Sequence, residues 1–165
     1  MHNIDFSHIK TIYFLGIGGI GMSALARFFK MQGKHIAGYD RTETPLTQQL
    51  QHEGISVHYM DDVSLVPLAI DLVVYTPAVP VDNKEFVYLQ QSGIPMLKRS
   101  QVLGQITKTY STIAVAGTHG KTSTTSLIAH LLHFAQIPVT AFIGGIAKNF
   151  NTNLVLSKQP KYIVV

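Results

Sequence analysis

The stretch TIYFLGIGGIGMSALARFFKMQG, residues 11–33, decides the architecture. TIYFLG (11–16) is a short apolar run rich in β-formers and reads as a buried strand. After it, Ile20, Ala24 and Phe28 stand four apart with Leu25 and Phe29 beside them, which gives one apolar helical face, and Gly33 supplies the stop. Between strand and helix lies Gly16-x-Gly18-x-x-Gly21. Absent side chains let such a turn approach a pyrophosphate, whose charge meets the helix N-terminus. Asp40 follows 19 residues beyond Gly21, at the end of the strand HIAGYD, where an acidic group can accept ribose hydroxyls. The motif alone admits a nicotinamide or flavin dinucleotide, a sugar nucleotide, or a bare turn. A secretory leader is not expected, because four glycines in six residues would spoil a helical apolar region.

Outward from this unit, strand and helix alternate. RTETP reads as a loop, LTQQLQHEG as a polar helix, ISVHYM and DLVVYT as strands with a loop or short helix between them. NKEFVYLQQSG is a helix, IPMLK a strand and SQVLGQITK a helix. This order predicts a Rossmann-like, doubly wound parallel sheet over residues 1–107.

The pattern restarts near Lys108. TIAVAG reads as a buried strand, and KTSTTSLIAHLLHFAQ as a helix with Leu127, Leu131 and Phe134 on its apolar face. Residues 108–165 are therefore expected to be the incomplete start of a P-loop ATPase-type α/β domain. KYIVV reads as a buried strand at the end of the sequence, so a longer protein is expected. Between the strand and helix stands AGTHGKTSTT (116–125), one glycine short of the usual phosphate loop, with Val115 in its place. Backbone N–H groups at Gly117 and Gly120 can face phosphate oxygens, Lys121 can reach the β and γ phosphates, and the Thr122 hydroxyl can hold Mg²⁺. His119 reads either as a loop side chain that packs or as a group near the reacting atoms.

The 165 residues are 46% hydrophobic and 13% charged, enough for a real core, and carry a net charge of +4. Basic residues are scattered, with Lys98-Arg99 the longest cluster, which argues against a nucleic-acid surface and suits small anions. No apolar run reaches the roughly 20 residues of a membrane span. Without cysteine there are no disulfides or thiolate metal sites. The remaining seven histidines read as surface or core residues without a ligand pattern.

AGTHGKTSTT resembles the shortened ATP loop of the Mur ligases, the amide-forming enzymes of peptidoglycan precursor synthesis. GYD, YTPAVP, DNKE, GIPMLKRSQVLG and FIGGI fall in the order that family shows, so the resemblance spans the chain. It implies a cytoplasmic bacterial enzyme acting on UDP-N-acetylmuramate, ATP and L-alanine with Mg²⁺, through an acyl phosphate. FLGIGGIGM resembles the first loop of members that add L-alanine, rather than that of members that add murein tripeptide. By this resemblance Gly117, Thr118, His119, Gly120, Lys121, Thr122 and Ser123 bind ATP, with Lys121, Thr122 and His119 catalytic and Thr122 on the metal. Gly16, Ile17, Gly18, Gly19, Ile20, Gly21 and Asp40 hold the UDP-sugar, joined by Thr76, Pro77, Ala78 and Arg99. Asn83 and Glu85 read equally as first-turn residues of their helix, and Arg99 as a solvated side chain. FIGGI reads either as bare backbone near a ligand or as a bulge. The family's acidic E-A-D-E run, expected after a strand like KYIVV, is not among these residues, so this chain is expected to bind UDP-sugar without ligating. An NAD(P)-dependent oxidoreductase is the competing reading, but it leaves GTHGKT without a role; a UDP-sugar sensor is a third.

Overall fold

A computed structural model describes residues 4–165. The chain forms two compact units, the first ending at Val102 and the second beginning at Leu103, inside a helix.

In the first unit, five parallel strands lie in the order β3-β2-β1-β4-β5: β1 (Thr11–Leu15), β2 (His35–Tyr39), β3 (Ser56–His58), β4 (Leu72–Tyr75) and β5 (Met96–Lys98). β1 is central because Ile12 to Leu15 are fully buried and pair on both sides, Tyr13 lying between Ala37 and Val73. Helix α1 (Ile20–Met31) is buried over Met22 to Phe29, a wider surface than the one face its spacing predicts. Arg27 tolerates this burial because Nε and Nη2 donate to Glu53 at 2.8 Å each. Helix α2 (Pro45–His52) starts with a reciprocal Thr44–Thr47 cap and Pro45 in its first turn. A 3₁₀ turn (Val63–Leu65) precedes β4, α3 (Lys84–Gln91) is capped by Asn83, and α4 (Arg99–Lys108) leads into the second unit.

The second unit is a four-stranded sheet in the order β6-β9-β7-β8, with helix α5 (Lys121–Phe134). β6 (Thr112–Ile113), β9 (Tyr162–Val164) and β7 (Val139–Ala147) are parallel, while β8 (Thr152–Val155) returns antiparallel to β7. Two expectations need correction. TIAVAG forms only a two-residue, half-buried strand, because β6 is an edge strand paired on one side. Leu127, Leu131 and Phe134 do not meet the sheet; they are 62%, 65% and 82% exposed. Thr125 and Ala129 are buried instead, and Ile128 and Leu132 pack on Val139, Ala141 and Ile143. Their spacing of three and four is as helical as that of the leucine stripe, and the small side chains let α5 lie close on β7.

Candidate functional sites

The first site is a crevice of about 550 Å³ at the carboxyl ends of β1, β2 and β4. Strand order reverses between β1 and β4, so the connections leave in opposite directions and open a gap there. Of the residues singled out in the sequence, Gly16, Gly18, Gly19, Asp40, Thr76, Ala78 and Asn83 line it, and Tyr39, Arg41, Asp61, Val79, Pro80 and Asp82 complete the wall.

Close packing dictates the glycines. Gly16 has φ +83°, and a Cβ there would sit 2.6 Å from Thr76 Cγ2. A Cβ on Gly18 would meet Thr47 Cγ2 at 2.6 Å and Asp40 Oδ2 at 2.8 Å. The backbone N–H groups of Gly16 and Ile17 donate to Tyr39 O at 2.8 and 3.0 Å, which ties the loop to β2. Gly18 N donates to Asp40 Oδ2 at 2.7 Å, and Thr42 N donates to Oδ1 at 3.1 Å. Asp40 therefore braces the glycine loop as well as facing the crevice. A carboxylate at this point disfavours a phosphate on Gly18 and suits donors such as ribose hydroxyls. The N-cap of α1 is Gly19, which has no side chain to cap the helix, so the positive end of the helix dipole faces this side.

Other expected residues stand differently. The Ile17 side chain is fully buried, so only its backbone can serve a ligand. Ile20 is half-buried at the start of α1, and Pro77 lies outside the lining. Arg99 is not in the lining either, but its guanidinium lies over the first turn of α1, Nη1 being 3.0 Å from where a Gly21 Cβ would stand. Asn83 Oδ1 accepts from Phe86 N at 2.9 Å, so it is a helix cap that also faces the crevice. Glu85 does more than favour a first turn. It is fully buried and accepts from Tyr13 Oη and from Asp62 N, with His58 3.6 Å away. Burial, chiefly, lifts its carboxyl above the ordinary range, and burial together with Glu85 pushes the Tyr13 phenol well up.

The second site is the phosphate loop at the head of α5. Gly120, the N-cap, is left-handed at φ +76°, and Gly117 has φ +151°. Lys121 folds over the loop, Nζ donating to Gly117 O at 2.5 Å and Thr118 O at 3.1 Å. Thr118, His119, Lys121, Thr122 and Ser123 are all exposed. FIGGI is irregular as a bulge would make it, and its glycines lie beside the loop. β7 is irregular between Phe142 and Ala147, and a Cβ on Gly144 would lie 3.0 Å from Thr122 Oγ1. Bare backbone thus passes directly beside the loop threonine. Among the described residues no three His, Cys, Asp or Glu side chains gather as a metal site; the exposed hydroxyls of Thr118, Thr122 and Ser123 are hard-oxygen donors at the loop. No helix of the described residues is long and apolar enough to cross a membrane.

The fold thus defines two α/β units in one chain, each with a glycine loop at the head of a helix. It belongs to the Mur ligase family: the family's catalytic-domain profile matches residues 11–111 and its middle-domain profile residues 115–161. The chain is 48% identical over 167 residues to the UDP-N-acetylmuramate–L-alanine ligase of Phocaeicola vulgatus, covering 98% of this chain and 36% of that protein. Its identity to the enzyme of that name from Porphyromonas gingivalis is 48% over 162 residues, 95% of this chain and 36% of the relative. The solved UDP-N-acetylmuramate-alanine ligase of Thermotoga maritima superposes with a TM-score of 0.86 at 35% identity, over 94% of this chain and 37% of that one. The UDP-N-acetylmuramate:L-alanyl-γ-D-glutamyl-meso-diaminopimelate ligase of Neisseria meningitides gives 0.85 at 29% identity, over 94% and 52%. The chain spans little more than a third of the length of these curated relatives.

Proposed function

We propose that this chain is the nucleotide-binding portion of an ATP-dependent ligase that joins L-alanine to UDP-N-acetylmuramate in cytoplasmic peptidoglycan precursor synthesis. Residues 1–107 hold the UDP-sugar, and residues 108–165 contribute the phosphate loop for ATP. The observation that carries this reading is the presence of two formed cradles in one chain, the switch-point crevice and the Lys121 loop. An oxidoreductase would use only the first. Among the solved structures, identity is also higher to the L-alanine ligase, at 35%, than to the tripeptide ligase, at 29%, which favours the single amino acid.

A carboxylate does not acylate an amine in water because its oxygen is a poor leaving group. Transfer of the γ-phosphoryl group of ATP to the lactyl carboxylate breaks the Pβ–O–Pγ bond and forms an acyl phosphate. The alanine amine then attacks the acyl carbon, phosphate leaves, and the amine proton is lost. The protein's part is mainly positioning and charge neutralisation. Lys121 exchanges its two loop carbonyls for phosphate oxygens and offsets their charge. The N–H groups of residues 117–120 orient those oxygens, and His119 and Ser123 flank them. Thr122 offers a hydroxyl to Mg²⁺, which when bound neutralises phosphate charge. In the crevice the Gly16–Gly19 turn, Thr76 and Ala78 seat the UDP-sugar, with Asp40 toward the ribose and Arg99 toward the diphosphate from above α1.

Calorimetric titration with UDP-N-acetylmuramate, with NADH in a parallel experiment, tests the reading. Saturable heat with the UDP-sugar and none with NADH is expected. Binding of NADH alone would overturn the ligase assignment.

A further inference from the structure

Beneath the crevice wall, four elements meet in one polar network. Tyr13 on β1 donates its hydroxyl hydrogen to Glu85 Oε2 on α3, and Tyr13 Oη also lies 2.7 Å from His58 Nε2 at the end of β3. The other ring nitrogen, Nδ1, lies 2.9 Å from Met60 O. Glu85 Oε1 accepts from Asp62 N at 3.2 Å. The segment 60–62 is thus held at both ends, by His58 and by Glu85. Its middle residue, Asp61, lines the crevice and accepts from Lys84 N and Glu85 N at 3.0 and 3.2 Å, which fixes the start of α3. Asp82 and Asn83, also in the wall, immediately precede that turn.

The hydrogens in this network can be counted. Met60 O is only an acceptor, so His58 Nδ1 must carry a hydrogen. Two gaps remain, Nε2 to Oη and Oη to Oε2, and each needs one hydrogen. Tyr13 supplies one. The second must come from an imidazolium His58 or from a protonated Glu85. Either way the network needs one proton more than an ionised glutamate, a phenol and a neutral imidazole provide. The full burial of Glu85 favours keeping it. When the proton leaves, lone pairs on Nε2 and Oη face each other at 2.7 Å and that link opens.

We propose that Tyr13, His58 and Glu85 form a clasp, closed by one shared proton, that positions the Asp61 wall and makes the crevice's affinity for its nucleotide ligand fall as pH rises. The clasp residues are positioning residues, and the proposal rests on the UDP-sugar reading above. The other titratable groups facing the network are Tyr39 on β2, Asp61 and Asp62 on the 60–62 segment, and Lys84 on α3. Burial pushes the Tyr39 phenol up and the Ser64 N–H holds the Asp62 carboxyl down, so neither group changes charge near neutrality. One proton on the coupled network is therefore the event to detect.

Glu85→Gln separates this proposal from a merely structural role. Its amide can donate to Tyr13 Oη while Tyr13 donates to His58 Nε2, and the remaining amide oxygen still accepts from Asp62 N. The three contacts are then made without a mobile proton, with one amide hydrogen left over. UDP-N-acetylmuramate is titrated into the wild-type chain and this variant between about pH 6 and 8.5, on both sides of neutrality. For the wild type the dissociation constant should rise about tenfold across that range, the worth of one charged hydrogen bond. Glu85→Gln should keep the acid-side affinity throughout. If Glu85→Gln does not fold, Tyr13→Phe reports instead, and it should bind at the weaker, alkaline-side level at every pH. A pH-independent wild type, or a variant that follows the wild-type slope, overturns the clasp and leaves the UDP-sugar reading standing. Absence of binding at every pH overturns both.

Discussion

Replacing Gly16 by alanine tests whether the crevice loop is as tightly built as its geometry implies. The new Cβ would meet Thr76 Cγ2 at 2.6 Å and Val79 Cγ2 at 3.2 Å, at a residue already in the left-handed region at φ +83°. Left-handed backbone costs a non-glycine residue roughly 1–2 kcal/mol. Overpacking a filled site adds about 1–3 kcal/mol. Gly33 is the internal control, because it has φ +80° and open space around its Cβ position. Gly33→Ala should therefore lose only the backbone component. The difference between the two variants isolates the collision, at about 1–3 kcal/mol. Thr76→Ser removes the colliding methyl and keeps the hydroxyl, so combining it with Gly16→Ala should recover part of that difference as a coupling energy. Denaturant unfolding followed by near-ultraviolet circular dichroism measures all four variants. Equal losses for Gly16→Ala and Gly33→Ala, with no coupling to Thr76→Ser, would refute the packing argument.

Two further outcomes follow from the same geometry. Lys121→Ala removes the ammonium drawn over the phosphate loop, so ATP affinity should fall about a hundredfold, the worth of a strong charged hydrogen bond to phosphate, while UDP-sugar affinity in the crevice is unchanged; equilibrium binding of each nucleotide checks this. The Asp71 carboxylate accepts from Thr11 N and Lys10 N, and these bonds, that from Thr11 foremost, hold its carboxyl below the ordinary range. That contribution is present above the unfolded-state value and lost as pH falls through the folded-state one, so Asp71→Asn should flatten the acid limb of the stability–pH curve, measured by denaturant unfolding at a series of pH values.

The glycine turns were legible because each stands between an apolar strand and a helix, where local sequence dictates local structure. Four consecutive residues of β1 are fully buried, and a run of adjacent apolar β-formers that short suits a strand covered on both faces. The α5 face was not legible. Two stripes on opposite faces share helical spacing, and only packing against β7 selects Thr125, Ile128, Ala129 and Leu132 over Leu127, Leu131 and Phe134. Asp61 enters the crevice on a loop where nothing nearby signals it, whereas Asp82 stands in the DNKE motif beside Asn83. The buried network shows the same limit more sharply. Tyr13 and Glu85 are 72 residues apart and His58 lies 45 from Tyr13, so only the strand order brings them together. Arg41 and Tyr39, by contrast, flank Asp40 directly and were within reach of the motif that singled it out.

The central claim is that one chain carries two cradles with divided duties. Amide resonances of the ¹⁵N-labelled chain, followed during separate additions of UDP-N-acetylmuramate and of ATP with Mg²⁺, test it most directly. The account predicts that the UDP-sugar shifts Gly16, Gly18, Gly19, Asp40 and Thr76 and leaves residues 117–123 in place, while ATP does the reverse. Movement of the Gly16–Gly19 loop by ATP, or of the Lys121 loop by the UDP-sugar alone, would contradict it.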